Sequence, residues 1–140
     1  MVMNRDSLQR ISSQRRKEAA ALLKAGHFPG AYYLAGYAVE CALKACIAKQ
    51  TRRNDFPNKK IALASWTHDL EQLVQVVGLG ADLAKNMASS PVFAANWATV
   101  SDWAESARYD LSITRARARS LYSACTERGT GILPWVRQQW

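Results

Sequence analysis

The segment from Ala31 to Ala48 is apolar around nearly the whole circumference of a helix, yet it carries Glu40 near its middle. A helix that is apolar on every side belongs in the centre of a helical protein. A carboxylate in that position needs a partner or must lose its charge. We therefore predict that Glu40 is buried or lines a cleft, and that its partner is Arg108. The alternative is a surface ion pair with Lys44, one helical turn along.

Length and composition indicate one globular domain over residues 1–140, because 49% of the residues are hydrophobic and 21% are charged. The 31–48 segment is about as long as a bilayer is thick, but Glu40 and Lys44 within it argue against a membrane span. The first residues lack the apolar core of a signal peptide. Three cysteines without metal-ligand spacing favour reduced, buried thiols. We expect a cytoplasmic protein without a metal or cofactor.

The net charge of +8 is concentrated in two parts of the chain. Residues 1–50 hold eight Lys and Arg against three Asp and Glu, and residues 111–140 hold five against one. If these two parts pack side by side, they form one positive face, which favours a polyanion such as RNA. The alternative is a soluble surface that happens to be basic.

Helical periodicity runs through the whole chain, and no segment alternates as a strand does. We predict helices over about 5–25, 29–50 and 67–78 and a short one over 81–88. A long helix then begins at Ser90-Pro91 and carries Arg108 near its end, and Ser112 opens the last long helix, which Gly129 stops. The basic segment 51–66 is predicted as a loop, with Thr67 capping the helix after it. The fold class is therefore all-α, an up-and-down bundle of four to five helices.

Two histidines are present, and they lie in different neighbourhoods. His27 is expected to be an exposed residue in the turn between the first two helices. His68, beside Asp69, either hydrogen-bonds at a helix start or acts as a general acid or base near the basic loop. The absence of a Cys/His cluster argues against zinc, and the sequence has no glycine-rich phosphate loop or nucleophile elbow.

Three arginines alternate along the last long helix and lie beside its apolar stripe or on its flank: Arg115, Arg117 and Arg119. One interpretation is a solvated helix face. The other is a track of phosphate contacts that this helix shares with three basic residues of the first helix, Arg15, Arg16 and Lys17.

Several short motifs together resemble the HEPN domain family (higher eukaryotes and prokaryotes nucleotide-binding domain), from about residue 15 to the end. They are Ala21-Leu-Leu-Lys-Ala-Gly26, Ala35-Gly-Tyr-Ala-Val-Glu-Cys-Ala-Leu-Lys-Ala45, Thr67-His-Asp-Leu70, Trp103 with Arg108-Tyr109, and Ile132-Leu-Pro-Trp-Val136. The resemblance implies an up-and-down helical bundle that pairs as a homodimer, with a cleft at the dimer interface. Many family members are metal-independent RNases, and others are toxins or RNA-binding partners encoded beside a minimal nucleotidyltransferase, as in toxin–antitoxin pairs.

In the nuclease members an Arg is followed after four to six residues by a His, and a polar residue of the second helix supports them. Here Arg108 matches the Arg and Glu40 matches the residue of the second helix. The positions for the His hold other residues: Ile113, Thr114 and Arg115.

Two main hypotheses follow for the function. The preferred one is a non-catalytic or degenerate member that binds RNA, a nucleotide or a partner protein in a cleft lined by Glu40, Arg108 and Tyr109. Further candidate binding residues are Tyr37, Arg115, Arg119, Arg52 and Arg53. The alternative is a metal-independent endoribonuclease in which His68 or Tyr109 replaces the missing His and Arg108 stabilises the phosphorane charge. A purely structural interaction module is the third option.

Overall fold

The computed structural model describes residues 4–53 and 59–140, and the side chains of residues 4–51 and 62–140. Within these ranges it contains eight α-helices and one 3₁₀ helix, and no strand. The α-helices are α1 (Arg5–Ala25), α2 (Phe28–Arg53), α3 (Lys59–Ala64), α4 (Leu70–Val77), α5 (Gly80–Ser89), α6 (Pro91–Ser101), α7 (Arg115–Thr126) and α8 (Ile132–Arg137). The 3₁₀ helix is Glu105–Tyr109.

Helices α1 and α2 form a hairpin that organises the rest of the chain. The Asn4 side chain caps α1 by accepting a hydrogen bond from the Ser7 amide at 2.8 Å. Gly26 ends α1 in the left-handed region, with φ of 87°, which suits a glycine. The Ser12 hydroxyl then donates to the Ala38 carbonyl of α2 at 2.7 Å. This buried contact joins the two helices near their middles.

Helix α2 is the central element, because α4, α7 and α8 all pack on it. Its buried apolar residues include Ala35, Ala38, Val39, Ala42, Leu43 and Cys46. Leu73 and Val74 of α4 and Leu121 and Cys125 of α7 are also fully buried in the same core. The expectation of a helix that is apolar on nearly every side is thereby confirmed. The three cysteines are free and buried, as expected.

The prediction of an all-α fold is confirmed, but four to five helices was too few. The structure divides the chain more finely because several connections contain short helices of their own. Helix α3 lies inside the predicted loop 51–66, and α2 extends to Arg53 instead of ending near Gln50. Residues 54–58 of that loop lie outside the described residues.

The prediction of one long helix from Ser90 through Arg108 was wrong for the part that follows Ser101. Ser90 caps α6 as predicted, accepting from the Phe93 amide at 3.1 Å. The helix ends at Ser101, and Ala104 is extended. The indole of Trp103 is buried against α2, and reaching that position requires the chain to leave the α6 axis. Arg108 therefore belongs to the 3₁₀ helix.

Two helix starts also differ from the prediction, in each case because a later residue provides the cap. Asp69, and not Thr67, caps α4 through the Gln72 amide. Thr114, and not Ser112, caps α7 through the Arg117 amide. Helix α7 ends at Thr126, before the predicted stop at Gly129. Among the described residues, none of the helices has the length and apolarity that crossing a bilayer requires.

Candidate functional site

Glu40 is a carboxylate buried at the centre of the bundle, and only 2% of it is exposed. Its Oε2 atom lies 3.0 Å from Nδ1 of His68 and 3.1 Å from Nζ of Lys44. Its Oε1 atom is buried and has no hydrogen-bond partner among the described residues. Burial of Glu40 was predicted correctly, and the structure places two basic groups on one of its oxygens.

The sequence on either side explains this geometry. Lys44 follows Glu40 by four residues on α2, so the two side chains lie on one face of the helix. His68 comes just before the start of α4, which packs against α2 through Leu70 and Leu73. Since that packing fixes the start of α4, the imidazole is held over Glu40. Its ring remains half exposed, so one edge contacts the carboxylate and the rest faces solvent.

The predicted ion pair between Glu40 and Arg108 was wrong. Arg108 instead pairs with Glu105 of its own 3₁₀ helix, with Nη1 and Oε1 2.9 Å apart. The reason is the contact between Trp103 and Gly36, which places the 3₁₀ helix beside the first half of α2. Glu40 lies one turn beyond that contact.

A pair of tyrosines on α2 links the two regions. Burial and then the charge of Glu105 raise the pKa of Tyr33, while the guanidinium of Arg108 opposes this effect. The charge of Glu40 also acts on the same hydroxyl. Burial, Cys41 and Glu40 raise the pKa of Tyr37 to about 12, so Tyr37 is neutral at physiological pH. The two rings meet edge to face, with their centroids 5.8 Å apart. Arg108 and the Glu40–His68 pair thus flank one aromatic face of α2.

Tyr109 is more exposed than the neighbouring predicted site residues Arg108 and His68. Its side chain is 73% exposed, and the guanidinium carbon of Arg108 lies 4.7 Å from its ring centroid. Leu111, close by in the chain, is 86% exposed. We call Arg108, Tyr109 and Leu111 the 3₁₀ surface.

The arginines of α7 divide between two places. Arg115 and Arg119 line a cleft of about 400 Å³ between α1 and α7. Arg117 turns the other way, with its guanidinium over the ring of Tyr32 at 4.9 Å and 3.8 Å from Asp102. The two positive parts of the chain do lie side by side, because α1 packs against α7. The side chains of Arg52 and Arg53 lie outside those that the structure describes.

Of the two interpretations of His68, the hydrogen bond at the helix start is not what the structure shows, and the role as a general acid or base stays a prediction. Its neighbour Asp69 provides the local cap, whereas His68 itself makes a long-range contact with α2. The sequence did indicate that a buried Glu40 needs a basic partner. However, nothing in the sequence showed whether that long-range partner is His68 or Arg108. His27 is exposed in the turn after α1, as predicted. Among the described residues no group of three or more His, Cys, Asp and Glu side chains is arranged to hold a metal ion.

The fold and site define an all-helical protein in which a buried carboxylate of the central helix holds an imidazole. A model of the HEPN domain family matches residues 6–138. The chain therefore belongs to the HEPN domain family, which includes nucleotide-binding and RNase-like members. Comparisons with curated proteins and with solved structures gave no match. The homodimer and the nucleotidyltransferase partner that the resemblance implies stay predictions.

Proposed function

We propose that this chain is a non-catalytic member of the family that binds single-stranded RNA, as a homodimer, through the 3₁₀ surface and the adjoining aromatic face of α2. One observation carries the proposal: Tyr109 is 73% exposed while Arg108 covers one face of its ring. Proteins that bind single strands combine exposed rings, on which bases stack, with cations that contact the backbone. The uncovered face of Tyr109 is available to a base.

The 3₁₀ surface is also held in place before any ligand binds. Trp103, which is 3% exposed, anchors the segment to α2, and the Glu105 carboxylate fixes the Arg108 guanidinium at 2.9 Å. Fixing side chains in advance reduces the entropy that binding must overcome. Leu111 is also exposed and extends the same surface. An exposed apolar side chain there supports contact with a second copy of the chain.

We expect Tyr109→Leu to weaken the binding of a fluorescein-labelled 12-nucleotide oligouridylate about tenfold, because loss of one stacking platform costs about 1–3 kcal/mol. Tyr109→Phe keeps the aromatic face and should bind within about twofold of the wild type. Fluorescence anisotropy titrations measure both affinities, and light scattering on the same samples gives the mass of the binding species. Equal binding by the Leu and Phe variants would exclude stacking at Tyr109.

A second candidate function is metal-independent RNA cleavage, and the contact between His68 and Glu40 favours it. When Nδ1–H donates to the carboxylate at 3.0 Å, the lone pair of Nε2 is left free to accept a proton. In RNA that proton comes from a 2′-hydroxyl, whose oxygen then attacks the neighbouring phosphorus. The 5′-oxygen leaves and takes up the proton that His68 accepted, giving a 2′,3′-cyclic phosphate and a 5′-hydroxyl.

If this second function holds, the protein cleaves RNA in the presence of a chelator and His68→Ala slows cleavage by at least about 100-fold, the lower end of general-base contributions. His27→Ala removes the other histidine, which is exposed in a turn, and should leave the rate unchanged. Gel analysis of an end-labelled RNA measures both rates. Intact RNA after hours with the wild type leaves binding as the function, and an equal decrease in both variants excludes His68 as the base.

A further inference from the structure

The cleft between α1 and α7 is a cationic site separate from the 3₁₀ surface and from the Glu40–His68 pair. It encloses about 400 Å³ and is lined by Ala20, Leu23, Lys24, Arg115, Arg119 and Tyr122. Its apolar and aromatic lining residues are half-buried, and its three basic residues are exposed. This composition suits a ligand with phosphates and a flat base.

The row of positive charge continues beyond the cleft. On α1, positions 13, 16, 20 and 24 follow each other at intervals of three and four residues and so lie on one face. Ser13 accepts a hydrogen bond from Nη2 of Arg137 at 3.1 Å, which brings α8 to this face. Burial lowers the pKa of Arg137, and the positive charge of Arg16 lowers it further, so the two guanidinium groups lie near each other. The distance from Arg16 to Lys24 along α1 is about 12 Å, at 1.5 Å per residue.

The cations of this row have no acidic partners among the residues that the structure describes. Within those residues, none of the five basic side chains along the row forms an ion pair. They are Arg16, Lys24, Arg115, Arg119 and Arg137. The Nε atoms of Arg16 and Arg137 are buried, and neither has a hydrogen-bond partner among the residues that the structure describes. Like charges held together without a counter-charge repel one another, and an anion relieves the repulsion.

We propose that this groove, formed by α1 with α7 and α8, binds the phosphates of a single RNA strand. The proposal rests on the RNA binding proposed above and adds a second contact region to it. An extended row of cations matches a chain of phosphates better than one compact anion, and Tyr122 in the cleft offers a ring to a base. The strand would run along α1, with its backbone toward the exposed Lys24, Arg115 and Arg119.

The test compares Lys24→Ala/Arg119→Ala with the matched control Lys85→Ala/Arg128→Ala. Each double variant removes one lysine and one arginine, and Lys85 and Arg128 are exposed and lie outside the groove. Anisotropy titrations with the labelled 12-nucleotide oligouridylate are run from 50 to 200 mM KCl. The groove variant should bind about tenfold or more weakly. Its salt slope should fall by about 1.4, because each of two phosphates that are no longer neutralised accounts for about 0.7. The control should stay within about threefold of wild type.

The variants together distinguish the groove from the 3₁₀ surface. If both double variants bind RNA equally weakly, only net charge matters and the groove proposal is overturned. A groove variant that binds RNA as tightly as wild type overturns it as well. If Tyr109→Leu has no effect but the groove variant does, the groove stands and the 3₁₀ surface falls. If wild type binds no RNA, the proposed function and the groove fall together. Unfolding midpoints that match wild type check that the variants fold.

Discussion

Replacing Trp103 by alanine is expected to lower the free energy of unfolding by about 3–5 kcal/mol, the range for large aromatic residues in cores. The indole is 3% exposed and lies directly on Gly36, where an added Cβ would overlap three ring atoms. It also contacts the ring of Tyr33, with centroids 6.1 Å apart. Removing it leaves a cavity over a glycine, which has no side chain to fill the space.

The matched control is Trp66→Ala, because Trp66 is 79% exposed and the chemical change is the same. Chemical denaturation followed by circular dichroism should show a change within about 0.5 kcal/mol for this variant. If both variants lose the same stability, the packing of Trp103 on Gly36 contributes nothing specific. A further consequence concerns binding, because Trp103 fixes the 3₁₀ helix. RNA affinity of Trp103→Ala should fall toward that of Tyr109→Leu under conditions where the protein remains folded.

This contact also explains which part of the site the sequence could predict. The apolar circumference of 31–48 required a central helix and a buried Glu40, and both are present. Lys44, given as the alternative partner because it lies one turn along the same helix, does pair with Glu40, although the carboxylate is buried and not on the surface. The long-range partner could not be read in the same way, because it depends on where the next elements pack. The Trp103–Gly36 contact places the 3₁₀ helix one turn before Glu40, so Arg108 falls beside Tyr33.

Helix boundaries show the same division between local and long-range information. The predicted Ser90 cap is present, and α1 and α4 end at Gly26 and Gly78, which have φ of 87° and 85°. Each of these signals depends on only a few neighbouring residues. The end of α6 at Ser101 is different, because helical periodicity continues past it in the sequence. What ends the helix is burial of an indole against another helix, a tertiary effect that overrides local preference.

Replacing Lys44 by methionine is expected to lower the free energy of unfolding by about 2–3 kcal/mol. Breaking a buried ion pair costs about 3–5 kcal/mol, and we reduce this figure because the Lys44 side chain is 21% exposed. The variant leaves the Glu40 carboxylate 2% exposed, with His68 as its remaining partner among the described residues and with Oε1 already unpaired. Lys85→Met, on the exposed surface of α5, should change stability by less than about 0.5 kcal/mol.

A double-mutant cycle separates the broken ion pair from other effects of the lysine change. Glu40→Gln removes the buried charge and leaves a partly hydrated ammonium, so it should cost less than Lys44→Met. Once the carboxylate is gone, loss of the lysine leaves no buried charge unpaired, so the double variant Glu40→Gln/Lys44→Met should be about as stable as Glu40→Gln alone. The coupling energy then equals the whole cost of Lys44→Met, about 2–3 kcal/mol. Additive losses would show that the cost of Lys44→Met does not depend on the charge of Glu40. Strong coupling would establish Glu40 as an ionised group at the centre of the bundle, the state in which it can hold the His68 ring.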